Sequence, residues 1–228
     1  MQEISSTAIA GSGLLPGVCQ GSEEWFRLRL GKVTASRVAD VVAKTRTGAS
    51  ASRANYMAEL IVERLTGVSP DRYANDAMKW GTQTEPDARV AYEFHNNVVV
   101  DQIGFVSHPT IPMSGASPDG LVGDSGLLEI KCPISKTHIE TLLGRNVPGQ
   151  YMIQMQWQMA CTGRQWCDFA SYDPRMPEHM RLWVCRVHRD AEHIEQLEGA
   201  VRAFLVELDD RVTELRAAYP EPTRQAAE

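Results

Sequence analysis

The sequence predicts a single α/β or α+β domain. Its 228 residues are 43% hydrophobic, which is enough to bury a real core, and no low-complexity linker divides the chain. Apolar residues follow helical spacing in the N-terminal part of the chain. From about residue 97 they change to the short alternating runs of β-strands, and helices and strands then alternate. We expect a mobile leader over residues 1–20, one domain over 21–218 and a mobile tail over 219–228.

The N-terminal part reads as a series of helices. SEEWFRLRLG predicts a short helix with Ser22 as its N-cap and Gly31 as its stop. TASRVADVVAK predicts a second helix, capped by Thr34 or Ser36. The next stretch, TRTGASASR, is small, basic and without apolar period, so it predicts a loop that could become ordered on a polyanion. Two further helices are predicted for YMAELIVERLTG and WGTQTEPDARVAYEFHN.

Strands dominate the middle of the chain and alternate with helices after it. Strands are predicted for NVVVD, GFVSHP, MSGASPDGLV and GLLEIKCP. GQYMIQMQWQMACTG returns to helical spacing and stops at Gly163, and WCDFASYD and RLWVCRVHR predict two more strands. Apolar residues from Ile194 to Leu215 recur at helical spacing, so a long amphipathic helix is expected to pack against the sheet.

Composition excludes several classes of protein. No apolar run approaches the roughly 20 residues that span a bilayer, and the N-terminus does not read as a signal peptide, so a soluble cytoplasmic protein is expected. Five scattered cysteines without a CxxC spacing indicate reduced thiols. The net charge is −6, but residues 27–53 hold seven basic residues and one acidic residue. That stretch is either a confined phosphate-binding patch or an ordinary solvated surface.

The stretch SPDGLVGDSGLLEIKCP, residues 117–133, combines a hairpin with charged residues. Gly123 to Gly126 is a turn signal, and a turn centred on Asp124 places Asp119 opposite Glu129, with Cβ atoms roughly 5 Å apart. Lys131 shares the face of Glu129, because side chains alternate along a strand.

Two adjacent carboxylates repel each other and favour a cation between them. Hard oxygen ligands with an open side suit Mg²⁺ or Mn²⁺, and Lys131 is then free to act on an attacking water or on phosphate charge. The alternative is that Asp119 only bonds its own turn, while Glu129 and Lys131 form an exposed pair.

Six ordered blocks between about residues 25 and 176 carry a family resemblance. These are WFRLRLGKVTAS, WGTQTEPDA, SPDGLV, LEIKCP, YMIQMQ and YDPRM. The chain resembles the lambda-exonuclease-like and YqaJ-like viral recombinase nucleases of the PD-(D/E)xK superfamily. That resemblance implies a restriction-endonuclease-like core with a central mixed sheet flanked by helices.

The resemblance also implies the roles of individual residues. Asp119, Glu129 and the carbonyl of Ile130 would hold the metal, Mg²⁺ with Mn²⁺ as a substitute, and Glu85 would complete a site for two ions. Lys131 would position or activate the water, and Gln154 would contact the water or the scissile phosphate. Gln156 is less suited, because the helix turns it about 200° away from Gln154.

A second group of residues would recognise the DNA end. Arg29 offers a planar fork to phosphate, and Ser36 stands at a predicted helix start, where backbone N–H groups favour anions. The resemblance assigns both, together with Ser117, to a 5′-phosphate pocket. It also implies that Arg46 holds duplex DNA. Trp25, Trp80 and Met78 are expected to be core or wall residues, with an apolar residue near 78 able to separate the strand ends.

The implied function is a Mg²⁺-dependent 5′-to-3′ exonuclease on linear duplex DNA that releases 5′-mononucleotides and leaves 3′ single-stranded overhangs. A homotrimeric ring, a single-strand annealing protein as partner and a phage or prophage setting in a bacterial cell follow from the same resemblance. Two alternatives remain open: a DNA endonuclease of the same superfamily, and a DNA-binding recombination module without enzymatic activity.

Overall fold

The computed structural model describes residues 18–46, 48–69 and 76–220, without the side chains of residues 49, 77 and 78. The predicted mobile leader and tail therefore lie largely outside the described residues, as does the side chain of Met78. The helices in the described part are α1 (Glu23–Arg29), α2 (Val38–Val42), α3 (Ala51–Thr66), α4 (Asp76–Asn96), α5 (Ser135–Gly144), α6 (Gly149–Thr162) and α7 (Ala191–Ala218). Short 3-10 turns occupy Ala35–Arg37 and Glu178–Met180.

The described strands form two mixed sheets and one ribbon. They are β1 (Val33–Thr34), β2 (Lys44–Thr45), β3 (Gly48–Ala49), β4 (Val100–Asp101), β5 (Val106–Ser107), β6 (Ser114–Ala116), β7 (Gly120–Val122), β8 (Gly126–Lys131), β9 (Trp166–Tyr172) and β10 (Leu182–His188). The main sheet has the order β10-β9-β8-β7-β4, in which only β8 and β9 run parallel. A smaller sheet has the order β1-β6-β5, and β2 pairs with β3. This mixed α/β architecture confirms the predicted fold class.

Helices cover both faces of the main sheet at strand β8. Leu128 and Ile130 pack in one apolar cluster with residues of α4, and Leu127 packs in another with residues of α6. All of β8 except Lys131 is buried, because neither of its faces meets solvent. A charged residue inside β8 must therefore find its partners within the protein.

The long C-terminal helix packs differently from the prediction. The buried residues of α7 from Leu197 to Val212 share a cluster mainly with α2, α3 and Trp157 of α6, and Ile194 alone joins the cluster on the main sheet. The predicted amphipathic period is present, but the partner is mostly a layer of helices. No helix in the described part of the chain is long and apolar enough to cross a membrane.

The structure of the chain before α2 differs from the prediction that Thr34 or Ser36 caps a helix. Thr34 ends β1 and makes no capping bond through its side chain, and Ser36 lies inside the 3-10 turn instead of at a helix N-cap. The physical reason is that Val33 and Thr34 pair with β6, so the chain enters the turn directly from a strand. Ser22, by contrast, caps α1 as predicted, since its Oγ accepts from the Trp25 amide at 3.2 Å.

Three other elements differ from the sequence expectations. The predicted loop over TRTGASASR contains the ribbon β2–β3 and the first turn of α3, which Ser50 caps. Helix α4 spans Asp76–Asn96 and so includes four residues before the predicted stretch WGTQTEPDARVAYEFHN, and Pro86 lies in the helix interior. Helix α5 is an addition to the expected elements, since the sequence expectations include none for SKTHIETLLG.

Candidate active site

The hairpin of β7 and β8 has the predicted register. Gly120 pairs with Leu128 and Val122 with Gly126, and the Asp119 amide donates to the Leu128 carbonyl at 3.1 Å. Extending this register by one residue places Asp119 opposite Glu129. The pairing inferred from the turn is therefore confirmed.

Glu129 is a buried carboxylate surrounded by donors. It is only 1% exposed. Its Oε1 lies 2.5 Å from Lys131 Nζ and accepts from Gln154 Nε2 at 2.7 Å, while its Oε2 accepts from Gln158 Nε2 at 2.5 Å. The alternative of an exposed Glu129–Lys131 pair is therefore wrong. The expectation that this face opens toward solvent is also wrong at Glu129, because α6 covers it.

Lys131 sits at the edge of this buried site. Its side chain is 29% exposed, and its Nζ lies 5.0 Å from the centre of the Tyr151 ring. Burial by itself would lower the pKa of Lys131, but the carboxylates of Glu129 and Asp119 outweigh that effect and raise the pKa above its ordinary value. The ammonium is the cation that balances the two carboxylates in this arrangement.

Asp119 is half-buried and reaches across the hairpin. Its Oδ2 accepts from the Ile130 amide at 2.6 Å, so it bonds the facing strand and not merely its own turn. Burial and then the repulsion of Glu129 raise the pKa of Asp119 well above its ordinary value. Two carboxylates with this mutual repulsion gain from an additional cation.

Glu85 approaches the site from α4. Its Oε1 accepts from Arg89 NH2 at 2.5 Å, one helical turn away. Burial raises the pKa of Glu85, Arg89 opposes that rise, and Glu129 adds to it, so the two glutamates interact electrostatically. The structure thus brings the predicted carboxylates Asp119, Glu129 and Glu85 to one end of β8.

The carboxylates of Asp119, Glu129 and Glu85 suit a hard divalent cation, although they do not form a preformed metal site. Within the described residues, no three His, Cys, Asp or Glu side chains stand close enough to hold an ion together. Carboxylate and carbonyl oxygens are the ligands that Mg²⁺ and Mn²⁺ accept, and Mg²⁺ sites commonly use only one or two carboxylates with water. Burial and then the charge of Glu129 disfavour the ionised form of Asp119 and raise its pKa, an effect that a nearby cation would offset.

The glutamines of α6 divide into two groups. Gln154 and Gln158 are four residues apart, and both donate to Glu129. Gln156 lies elsewhere: its Nε2 donates to the His188 carbonyl at 2.8 Å, and its Oε1 accepts from the Asp190 amide at 2.9 Å. Sequence reasoning missed Gln158, although its spacing from Gln154 on one helical face was the available signal.

Two of the predicted phosphate-binding residues meet next to the carboxylates. Arg29 Nη1 donates to Ser117 Oγ at 3.2 Å, and Trp25 Nε1 donates to the same oxygen at 2.9 Å. The Arg29 guanidinium lies 4.1 Å from the centre of the Trp25 ring. Burial lowers the pKa of Arg29 to about 10. Ser117 is two residues before Asp119, so this pair directly adjoins the hairpin.

The other two residues of that prediction lie on the surface. Ser36 is exposed, and no hydrogen bond joins it to Arg29 or Ser117, both of which are described. Arg46 is exposed in the turn of the β2–β3 ribbon. The structure therefore brings together Arg29 and Ser117, with an additional contact from Trp25, which was expected to be a core or wall residue.

Ion pairs reduce the number of basic residues in the stretch 27–53 that remain available to an anion. Carboxylates pair with Arg27, Arg37 and Arg53. Within the described part of the chain, the basic residues of this stretch that make no ion pair are Arg29, Lys32, Lys44 and Arg46. The surface available to an anion is thus smaller than the sequence count suggested.

An ion pair between a buried carboxylate and a half-exposed arginine connects three of the sequence blocks. Asp173 is fully buried and binds Arg175, whose Nε lies 2.7 Å from Asp173 Oδ1. Arg175 also stacks 4.5 Å from the centre of the Trp80 ring and donates to the Pro133 carbonyl at 3.1 Å. This contact ties α4, which carries Glu85, to the chain just beyond Lys131.

Comparison with solved structures shows the same fold in exonucleases. An alkaline exonuclease, LHK-Exo, from Laribacter hongkongensis is 53% identical, with 86% of this chain and 97% of that chain covered and a TM-score of 0.81. The complex of LHK-Exo with dAMP gives a TM-score of 0.82. A phage related exonuclease from Haemophilus somnus 129PT shares the fold at 14% identity and a TM-score of 0.64, covering 81% of this chain and 96% of that one. The fold is therefore that of the exonuclease class of mixed α/β proteins.

The family follows from the sequence as well. The model of the YqaJ-like viral recombinase domain matches residues 24–165, and the chain belongs to that family. An uncharacterized protein, R354, of Acanthamoeba polyphaga mimivirus is 26% identical over 168 residues, or 68% of this chain. The match spans only 29% of the length of that mimivirus protein.

Proposed function

We propose that this protein is a deoxyribonuclease that degrades one strand of linear duplex DNA from its 5′ end, with Mg²⁺ as the metal. The deoxyribonuclease assignment is supported by the family and by the likeness to an alkaline exonuclease. The polarity, the metal and the products are the finer parts of the proposal.

One observation carries the proposal. A single stretch of chain, residues 117–119, holds both Ser117, which binds the Arg29 guanidinium, and Asp119, which faces Glu129 and Lys131 across the hairpin. A polar site for a terminal phosphate thus adjoins a carboxylate–lysine site for phosphodiester cleavage. That arrangement suits an enzyme that cuts a fixed distance from a strand end.

The metal would be held by Asp119, Glu129 and the carbonyl of Ile130, with Glu85 near a second ion. Nucleases of this kind generally use divalent metal ions. When bound, such an ion polarises the phosphate and lowers the pKa of a coordinated water. Mn²⁺ is expected to replace Mg²⁺, because both accept carboxylate oxygens.

The side chains would divide the remaining work. Lys131, whose ammonium lies at the partly exposed edge of the site, would orient the attacking water and offset charge that develops on the phosphate. Gln154 would donate to the water or to a phosphate oxygen. Arg29 and Ser117 would bind the 5′-phosphate, with Ser36 and Arg46 contacting the DNA around it.

The proposed products are 5′-mononucleotides and duplexes with 3′ single-stranded overhangs. The complex of the similar LHK-Exo with dAMP, a nucleoside monophosphate, supports a product of this class. We also propose a homotrimeric ring around the DNA, cooperation with a single-strand annealing protein, and a cytoplasmic phage or prophage setting. The viral recombinase family supports this recombination role.

Digestion of end-labelled linear duplexes tests the proposal. Duplexes with a 5′-phosphate or a 5′-hydroxyl, labelled on either strand, would be incubated with Mg²⁺ or with EDTA. We expect Mg²⁺-dependent release of mononucleotides from the 5′-phosphorylated strand. Cleavage of covalently closed circular DNA would contradict the exonuclease proposal and favour an endonuclease. Duplex binding without any nucleotide release would favour a DNA-binding module.

A further inference from the structure

The second oxygen of Glu129 makes a bond that the proposed chemistry does not use. Glu129 Oε2 accepts from Gln158 Nε2 at 2.5 Å. Gln158 is 0% exposed and Glu129 is 1% exposed, so this bond lies wholly inside the protein. A buried carboxylate oxygen that loses such a donor would be left unsatisfied at a considerable cost.

The amide oxygen of Gln158 also has a contact, with the thiol of Cys167. Its Oε1 lies 3.8 Å from Sγ of Cys167, which is fully buried on β9 and pairs with Leu127 of β8. The thiol is a donor that the Gln158 Oε1 and the Asp168 carbonyl, at 3.9 Å, share, and its contact with the amide oxygen favours the orientation in which the amide nitrogen points toward Glu129. A chain of contacts therefore runs from β9 through α6 to the carboxylate on β8.

We infer that Gln158 is a positioning residue that holds the Glu129 carboxylate in one orientation for metal binding. The inference rests on the proposed function. With Oε2 bound to Gln158, Oε1 stays on the side of Lys131 and Gln154. Gln158 itself is too deeply buried to touch DNA, whereas Gln154 is half-buried at the edge of the site. Groups that orient a metal ligand in this way commonly change metal affinity without being ligands themselves.

The variant Gln158→Met tests the inference, because it keeps the side-chain length and removes the amide. Mn²⁺ binding to the full-length protein would be measured from the electron paramagnetic resonance signal of free Mn²⁺, using MnCl₂ alone. We expect binding about tenfold weaker than in the wild type. The Mg²⁺ concentration that gives half-maximal DNA digestion should rise by a similar factor. Duplex affinity in EDTA should stay the same.

Gln156→Met is the matched control. Gln156 lies on the same helix, is 2% exposed, and loses two hydrogen bonds to backbone groups in this variant. It should lower the melting temperature as Gln158→Met does, yet leave Mn²⁺ binding unchanged. A merely structural role of Gln158 would make the two variants behave alike.

The outcomes separate this inference from the proposed function. If the wild type binds Mn²⁺ and digests DNA while Gln158→Met binds Mn²⁺ equally well, the inference is wrong and the function stands. If the wild type neither binds Mn²⁺ nor digests DNA, the proposed function fails and the inference with it. Should Gln158→Met not fold, Cys167→Ala removes the thiol that contacts Gln158, along with some core packing, and leaves the Gln158 amide in place. A roughly twofold to threefold weakening of Mn²⁺ binding is then expected, and unchanged binding would overturn the inference.

Discussion

In the proposed cleavage chemistry, Lys131 is the residue with the most direct part. Its ammonium is the only side-chain cation within 4 Å of Glu129 among the described residues. Removing it would take away the group that we propose to orient the water and to offset phosphate charge.

We expect Lys131→Ala to lower the rate of nucleotide release by roughly 10² to 10⁴, with duplex binding retained. Single-turnover digestion and a binding assay in EDTA measure the two effects. Lys136→Ala is the control, because Lys136 is 81% exposed on α5 and lies 3.8 Å from Glu140. Undiminished release by Lys131→Ala would show that the site is misassigned.

Arg29 is the second residue with a separable role. It is half-buried, and it makes no ion pair within the described part of the chain. An arginine without an ion-pair partner suits the terminal phosphate that we propose it binds.

We expect Arg29→Ala to abolish the preference for 5′-phosphorylated over 5′-hydroxyl ends and to slow digestion of the former roughly tenfold to a hundredfold, the effect of losing one charged hydrogen-bonding group. Arg27→Ala serves as the comparison, since Arg27 is 76% exposed on the same helix and pairs with Glu23. The preference is measured as the ratio of initial digestion rates on duplexes that differ only in a 5′-phosphate or a 5′-hydroxyl end. An unaltered preference in Arg29→Ala would place the phosphate pocket elsewhere.

At the scale of the element, the hairpin sets the distance between the two carboxylates. Strand residues alternate between the two faces of a sheet, so a one-residue slip moves every side chain to the opposite face. Inserting one residue between Asp124 and Ser125 should therefore separate Asp119 from Glu129 and remove activity. Asp124→Asn keeps the turn length and should preserve it. Thermal melts confirm folding, and an active insertion variant would disprove the importance of the register.

The pair of Asp173 and Arg175 makes a prediction for acid stability. Burial tends to raise the pKa of Asp173, but its hydrogen bonds to Arg175 lower it to about 2. A carboxyl whose pKa is depressed in the folded state contributes stability above its unfolded value, near 3.9, and loses it as the pH falls toward 2. Because Arg175 is half-exposed, we expect on the order of 1 to 2 kcal/mol at neutral pH.

Urea unfolding of the wild type and Arg175→Ala at pH 7, 4 and 3 measures this contribution. The difference in the free energy of unfolding should be largest at pH 7 and should shrink below pH 4. A difference that is constant over this range would mean that Arg175 stabilises through its contacts with Trp80 and Pro133 and not through the charge of Asp173.

At the scale of the whole molecule, the prediction concerns assembly. A ring that encloses DNA would explain processive digestion, because the enzyme cannot leave the strand between cleavage steps. We expect sedimentation at working concentration to give a mass three times that of the 25.3 kDa chain. Dilution that dissociates the trimer should shorten the runs of digestion. A monomer with full processivity would contradict the ring.

Much of the fold and part of the site could be predicted from the sequence, because those features depend on neighbours along the chain. The turn at Gly123 to Gly126 fixes the pairing of Asp119 with Glu129 within a dozen residues. The Ser22 cap and the apolar period of α7 are equally local. Ordered motif blocks added the family, which the match over residues 24–165 confirms.

Only the tertiary structure decided which distant side chains surround those local features. Gln158 and Cys167 reach Glu129 from different elements, and a carboxylate predicted to face solvent is buried beneath α6. Ser36 is not at a helix N-cap as predicted, because β6, from a distant part of the chain, pairs with Val33 and Thr34 just before it. Local sequence encodes periodicity and turns through adjacent backbone geometry, whereas burial and ion pairing depend on how separate elements pack. That is why the sequence determined the hairpin and its charged residues, and the tertiary structure determined what holds them in place.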